Sequence, residues 1–495
     1  MRLADLLTEL PSCTVHGDPY VAIAGVTHDS REVGPGFLFC AIPGVRYDGH
    51  DFTAEAAQRG AAALLVQRRV EVALPQAVVP SVREAIGPVA SAYWGHPSRA
   101  LRVIGVTGTN GKGAVTYLTR AVLEAGGITC GIIGTIGAVV GGRRVSLRRT
   151  TPEAPELQQL LASMRDASLA AVAMEVASHA LAMERVGGVR FVAAGFTNLT
   201  QDHLDFHGTM EAYRAAKARL FERVEADGVS VINRDDPHGV FMASRSRAPV
   251  VTYGLGDDAD VRAQGLEMSA RGCAFEVLTP VGRAWFSIPI AGMFNVYNAL
   301  CAVALGLHCG VPLDAMADAL RAFPGIPGRF ELVDAGQPFA VVVDYAHTPD
   351  GLDNVLRTAR QIAHGRLIAV FGCGGDRDPA KRPEMGRIAV RLADHVVVTS
   401  DNPRSENPMA IIEDIVAGIR GEVEDLLGRP ALGTYEVEPD RRAAIRRAIA
   451  MARPGDIVVI CGKGHEDYQI LRDRTIPFDD REEARQALAS VQSRA

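Results

Sequence analysis

The stretch VIGVTGTNGKGAVTYLTRAVLEAGG, from Val103 to Gly127, sets an apolar run, a turn of Gly and Thr, a lysine and a helical segment end to end. A phosphate-binding loop is built in that order. Glycines let the backbone approach an anion, a lysine supplies charge, and free N–H groups at the helix start complete the cradle. The strict pattern fails twice: Val106 stands where the first glycine belongs, and Gly113 where Ser or Thr would hold Mg²⁺. Gly108, Gly111 and Lys112 remain. An ordinary strand-turn-helix has the same outline, so this segment alone leaves nucleotide binding open.

Two further segments carry polar groups just after apolar runs. AMEVASHAL holds Glu175 and His179, and FTNLTQDHLDFHG holds Asn198, Asp202, His203, Asp205 and His207. Carboxylates and imidazoles at strand ends suit a divalent cation, Mg²⁺ when phosphates complete the shell. A lone histidine is usually structural. His203 beside Asp202, and His179 four residues after Glu175, argue for more.

The elements that must position such groups are plainest in the last third. FAVVVDYA, RLIAVFG, DHVVVTSD and DIVVICG alternate with helical stretches such as GLDNVLRTARQIA and DRRAAIRRAIAMA. Continuous apolar strands alternating with helices predict a parallel sheet covered on both faces. Each run gives way to a polar or Gly-rich loop: DYAHTPDG, GCGGDRDPAKRPE, SDNPRSE and GKGHEDY. Loops at the carboxyl ends of such strands form the ligand crevice, so four of them converge on one site.

The 495 residues suggest about three domains. Turn-rich joints at YWGHPSRAL and FPGIPGRF place them at 1–97, 98–328 and 329–495, with Pro97 and Ser98 as a linker. Hinges are expected near Pro97 and Gly328. Within the middle block, RGCAFEVLTPVGRAWFSIPIAG alternates like antiparallel strands turning at PVG. A formal net charge of −6 disfavours a nucleic-acid partner, which needs a basic stripe. The first residues lack a clean apolar core and no run approaches a membrane span, so a cytosolic protein without membrane insertion is expected. The eight cysteines show no C-x-x-C pair and read as buried, reduced thiols.

Taken in order, TGTNGK, TTPE, EVASHAL, TNLTQDHLDFHGTMEAYRAAK, GMFNVYNAL, PGRFE, VDYAHTPDGL, FGCGGDRDPAKRPEMG, SDNPRSE and GKGHEDYQ resemble the Mur ligases, most of all those that add diaminopimelate. THDSREVGPGFLFCAIPGVRYDGHDF extends the likeness to the N-terminal block. The resemblance implies an α/β protein of three domains: a smaller N-terminal α/β domain for the UDP-sugar, a central P-loop-type ATPase domain, and a C-terminal Rossmann-like parallel-sheet domain for the amino acid. It implies use of ATP and Mg²⁺, and a monomer is expected. A γ-phosphate passes to the D-Glu carboxylate of UDP-MurNAc-L-Ala-D-Glu, and an amine of meso-diaminopimelate attacks the resulting acyl phosphate.

By the same resemblance, Gly108, Thr109, Asn110, Gly111, Lys112, Gly113 and Ala114 hold phosphates. Asn295, Asn298, Arg329 and Asp344 contact the nucleotide, and Glu175, His203 and Lys217 hold Mg²⁺. Lys217, otherwise a solvated helix lysine, is implied to be carbamylated. Lys112, Lys217 and His203 are the implied catalytic groups. Ser30, Thr150, Thr151 and Arg185 meet the UDP-sugar peptide, while Arg377, Asp401, Asn402, Pro403, Arg404, Gly462 and Glu466 form the diaminopimelate pocket. Arg404 can grip the distal carboxylate with two hydrogen bonds, which a lysine substrate could not use, while Glu466 takes the distal ammonium.

Two positions depart from the family pattern. Gly113 replaces a threonine, and Ala177 a serine that resembles a substrate contact. The alternatives are a weakened paralogue that binds without turnover, a lysine-adding relative and a folylpolyglutamate synthase-like ligase. The DSREVGPG block disfavours the last.

Overall fold

The computed structural model describes residues 1–44, 47–425 and 433–492. Val45 and Arg46, inside the N-terminal stretch quoted above, lie outside the described residues. The chain divides into two compact units. One comprises Met1–Gln264, Val277–Ala284 and Tyr297–Ala319, the other Gly265–Glu276, Trp285–Val296 and Leu320–Ala495.

In the first unit, a five-stranded sheet runs Thr14–His16, Gln76–Val78, Ala63–Val66, Phe37–Cys40, Gly25–Thr27, parallel except at its first edge. Its core joins Leu38, Leu65 and Ala77 to Val82, Ile86 and Val89 of the helix Val82–Tyr93. The larger sheet places Arg102–Thr107 between Phe191–Phe196 and Ala171–Glu175, all parallel. All three strands therefore end at one edge, where Gly108, Val176 and Thr197 begin the polar loops.

The expected linker at Pro97 and Ser98 is a single helical turn, Pro97–Ala100, in which Pro97 and Ser98 are buried. Proline suits the first helical position, and the Ser98 hydroxyl accepts from Arg190 N at 3.1 Å. Ser98 also sits near the start of the central strand and is only 3% exposed. This is an anchored segment rather than a solvated one.

In the second unit, Ala340–Asp344, Ile457–Cys461, Leu367–Phe371, His395–Val398 and Thr434–Val437 pair in parallel, in that order. Alternation of side chains across a strand fills two cores. Val342, Ala369 and Val459 face the layer of Leu352, Met385 and Ile415, whereas Val341, Ile368 and Val458 face Ile445 and Leu488. Thr434–Val437 was not expected, being short, polar and half-exposed at an edge. The turn predicted at PVG falls between Gly272–Thr279 and Gly282–Ile288. Among the described residues no helix is long and apolar enough to cross a membrane.

Candidate active site

The loop after Arg102–Thr107 opens into the helix Lys112–Ala125. Gly108 has φ 151° and Gly111 φ 82°, left-handed values that favour glycine. A Cβ at Gly108 would lie 1.8 Å from Thr197 Oγ1, and one at Gly111 would lie 2.5 Å from Asn298 Oδ1. These glycines are therefore fixed by space as well as by conformation. Asn110 N donates to Asn198 Oδ1 at 2.9 Å, and Thr109 N to Asn198 O at 2.8 Å, which fastens the loop to its neighbour. The Lys112 ammonium donates to the carbonyls of Gly108 at 3.0 Å and Thr109 at 2.7 Å. Ala114 is buried in the helix's first turn.

Lys217 lies on the helix Met210–Ala218 and is 1% exposed. Its ammonium donates to Gly108 O at 2.6 Å and lies 4.5 Å from the Tyr213 ring centroid. Burial, then the nearby Lys112 charge, push its pKa well below the usual lysine range.

Glu175 ends its strand 5% exposed, accepting from Thr135 N at 2.8 Å and Thr135 Oγ1 at 3.2 Å. No cation pairs with it among the described residues. A buried carboxylate lacking a positive partner fits a divalent ion. Gly113 faces the same group, since a Cβ there would sit 3.2 Å from Glu175 Oε1. Among the described residues no three His, Cys, Asp or Glu side chains gather as a metal cluster. The expected set of Glu175, His203 and Lys217 contains only two residues of those types. Lys217 lies near enough to His203 for its charge to lower that imidazole's pKa.

Replacing Gly113 with threonine asks Glu175 to yield by a few tenths of an ångström and sets a hydroxyl beside it. It also relieves a helical glycine, a gain of about a few tenths of a kcal/mol, because threonine is itself a poor helix former. The expected outcome is a higher melting temperature and a lower Mg²⁺ requirement for phosphate release, read from a Mg²⁺ titration.

His203 is left-handed at φ 54° and lies 3.3 Å from Asp202 Oδ2. Its ring meets that of His179 edge-on at 4.6 Å, and the His207 ring is 5.4 Å from His179. Burial lowers all three, helped by the His203 charge at His179 and His207 and by the Lys112 charge at His203, taking His179 from 6.5 to about 4. The unfolded chain therefore binds these protons first, and stability is lost as pH falls from about 6.5 towards 4. Melting temperatures measured from pH 7 to 5 should fall, and less steeply in His179→Asn.

Thr151, 1% exposed, donates from its hydroxyl to Glu175 O at 2.8 Å and accepts from Ala177 N at 3.1 Å. Thr150 and Thr135 hydroxyls are 3.1 Å apart. Arg185 reaches Thr151 O at 3.4 Å and pairs with Glu153 at 2.9 Å. Arg83 and Arg149 also pair with Glu153, at 3.3 and 2.8 Å, so three guanidiniums share one carboxylate. That surplus of positive charge suits an anionic ligand. Ser30 donates to Glu55 Oε2 at 3.2 Å. Ala177 is the N-cap of the short helix Ser178–Ala182 and lacks the capping oxygen a serine would offer.

In the second unit, Asp344 accepts from Phe330 N at 2.7 Å and Ala346 N at 2.8 Å, and burial raises its pKa against the pull of Arg329. Arg329 lies over the Tyr345 ring at 4.7 Å. Asn295 Nδ2 donates to Ala291 O at 2.8 Å. Gly462, at φ 122°, would bring a Cβ to 2.4 Å from Asp401 Oδ2, so the loops after Ile457–Cys461 and His395–Val398 touch across the end of the strand between them. Pro403 is buried between Asn402 and Arg404. Arg404 Nη1 donates to Gly375 O at 2.7 Å and Arg377 Nη1 to Asp376 O at 2.9 Å. Neither guanidinium forms an ion pair among the described residues. Two cations with no paired carboxylate, above a parallel sheet's carboxyl edge, make a site for an acidic ligand.

Three family models match: the Mur ligase family catalytic domain over 22–94, the Mur ligase middle domain over 106–306, and the Mur ligase glutamate ligase domain over 328–464. The chain belongs to the Mur ligase family. This Mur ligase is 46% identical over 494 residues to the UDP-N-acetylmuramoyl-L-alanyl-D-glutamate--2,6-diaminopimelate ligase of Geobacillus thermodenitrificans, covering 99% of each chain. It is 49% identical over 498 residues to the enzyme of the same name from Gloeobacter violaceus, covering 100% of this chain and 99% of that one. A solved structure of a ligase with that name superposes with a TM-score of 0.72 at 33% identity, covering 99% of both chains. The MurF ligase of Thermotoga maritima, solved with ADP, shares the fold at a TM-score of 0.61 and 18% identity, covering 95% of this chain and 98% of that one.

Within the Mur ligase frame, some contacts were not read from the sequence. Thr135 shows no charge or motif beyond its place after the strand Cys130–Gly134. Arg83 and Arg149 are remote from each other in sequence and meet only at Glu153. Lys463 lies inside GKGHE, between Gly462 and Glu466, and its contacts to Asn402 and Glu466 have no signature in the sequence.

Proposed function

We propose that this Mur ligase joins meso-diaminopimelate to UDP-MurNAc-L-Ala-D-Glu with ATP, in peptidoglycan synthesis. The unpaired Arg377 and Arg404 carry the choice of amino acid. Diaminopimelate brings a distal carboxylate for them, and lysine brings none. Identity near one half along the whole length to ligases of that name supports the same reading.

The chemistry is phosphoryl transfer followed by aminolysis. A D-Glu carboxylate oxygen bonds the γ-phosphorus as the bond to ADP breaks. The free amine then attacks the acyl carbon, a proton leaves the nitrogen, and inorganic phosphate departs. Such transfers depend on positioning and charge neutralisation. Lys112 and the N–H groups of Gly111 to Ala114 hold the phosphates, with Thr109 and Asn110 shaping the loop. Asn295, Asn298, Arg329 and Asp344 bind the remainder of the nucleotide. Ser30, Thr150, Thr151 and Arg185 seat the UDP-sugar peptide, and Asp401, Asn402, Pro403, Gly462 and Glu466 complete the amino-acid site.

Glu175, His203 and modified Lys217 would hold Mg²⁺, which when bound neutralises phosphate charge. The depressed pKa of Lys217 keeps a fraction of its amine unprotonated, the form that adds CO₂. An N–C bond forms, a proton leaves, and a buried cation becomes an anion. Domains at 1–97, 98–328 and 329–495, a monomeric state and a cytoplasmic setting complete the proposal.

Incubation with ATP, Mg²⁺, UDP-MurNAc-L-Ala-D-Glu and either amino acid tests it by product mass. Diaminopimelate should give the tripeptide nucleotide. A lysine product formed in preference would sink the assignment.

A further inference from the structure

Lys463 sits in the loop after Ile457–Cys461 with no exposed surface. Its ammonium donates to Asn402 Oδ1 at 3.2 Å and Glu466 Oε2 at 3.1 Å, with Asp401 Oδ1 at 4.0 Å. Asn402 Nδ2 also donates to Glu466 Oε2, at 2.9 Å. That oxygen is fully engaged, and no hydrogen bond among the described residues reaches Oε1. The Tyr468 ring closes one side, 5.4 Å from the ammonium. Glu466 is thus not a bare anion but one half of an internal ion pair.

A bare carboxylate would attract any ammonium. Lysine's side chain ends in an ammonium alone, with net charge +1, whereas the distal centre of diaminopimelate carries an ammonium and a carboxylate and is neutral. A unit change of local charge therefore acts strongly on lysine and weakly on diaminopimelate. We propose that Lys463 determines specificity: by pairing with Glu466 it denies a lone ammonium its anionic partner, so that only a ligand with its own carboxylate is held. This rests on the reading of the chain as a diaminopimelate-adding ligase. Negative selection of this kind complements the attractive contacts from Arg404 and Arg377.

The test compares kcat/KM for diaminopimelate and lysine in the full chain and two variants, with lysine scored by product and by competition. Lys463→Met should shift the ratio towards lysine by about tenfold or more, while Glu466→Gln, which leaves Lys463 only the more distant Asp401 carboxylate, should shift it the opposite way. A purely structural role would lower both activities together and leave the ratio unchanged in both variants, which would overturn the proposal. Should Lys463→Met fail to fold, the near-isosteric Glu466→Gln decides alone: a ratio moved further towards diaminopimelate supports it, and an unmoved ratio refutes it. A wild-type chain that turns over neither amino acid removes the underlying reading and the proposal with it.

Discussion

Lys217→Met should lower ligation by about a thousandfold, roughly 4 kcal/mol of transition-state stabilisation, while raising the melting temperature. Those opposite signs share one cause. Lys217 is 1% exposed with Gly108 O as its hydrogen-bond acceptor at 2.6 Å, a poor setting for an ammonium. Because its folded-state pKa is depressed, the unfolded chain binds the proton more readily, and the lysine costs stability below its usual range. That cost shrinks as pH rises towards the ordinary lysine value of 10.5. Methionine has similar length and no charge, so the fold gains while the carbamate is lost. Single-turnover phosphate release and a thermal melt without bicarbonate check both signs. Carbon-13 bicarbonate should give a carbamate signal in the wild type and none in the variant. Loss of activity together with lowered stability would mean the lysine is simply structural.

Arg404→Ala should raise the KM for diaminopimelate about a hundredfold with little change in the KM for ATP, since a charge-assisted pair contributes a few kcal/mol. Arg404→Lys keeps the charge but loses the fork, so it should recover only part of the effect. Arg404 sits at φ 51°, held by its own N–H to Ile470 O at 3.2 Å. Neither variant changes that backbone bond. Steady-state kinetics varying each substrate in turn separates the outcomes. A uniform fall in kcat with unchanged KM would remove Arg404 from the amino-acid site.

The parallel sheet of the last third was legible because its strands are buried on both faces and read as unbroken Val and Ile. The phosphate loop was legible in outline only, since glycine spacing cannot show that Gly108 and Gly111 are pressed against Thr197 and Asn298. Roles for Lys217 and Arg404 came from family resemblance; local pattern alone makes Lys217 a solvated helix residue. Proline beside serine marks a joint in sequence but can also start a helical turn whose first residues are buried, as at Pro97 and Ser98. Ala177 reads in sequence as a lost substrate contact, and the structure adds that its position is a helix cap. The Lys463 network is hidden in the sequence because Asn402 and Glu466 lie on separate loops, which meet only because the strands they follow both flank Leu367–Phe371 and end at one edge of the sheet.

Gly113 keeps one competing account alive, in which the loop binds nucleotide without cleaving it. Phosphate release with ATP, Mg²⁺, UDP-MurNAc-L-Ala-D-Glu and diaminopimelate, each omitted in turn, tests the central claim most directly. Sustained release that needs all four is the predicted result. Nucleotide binding with no release when all four are present would contradict it.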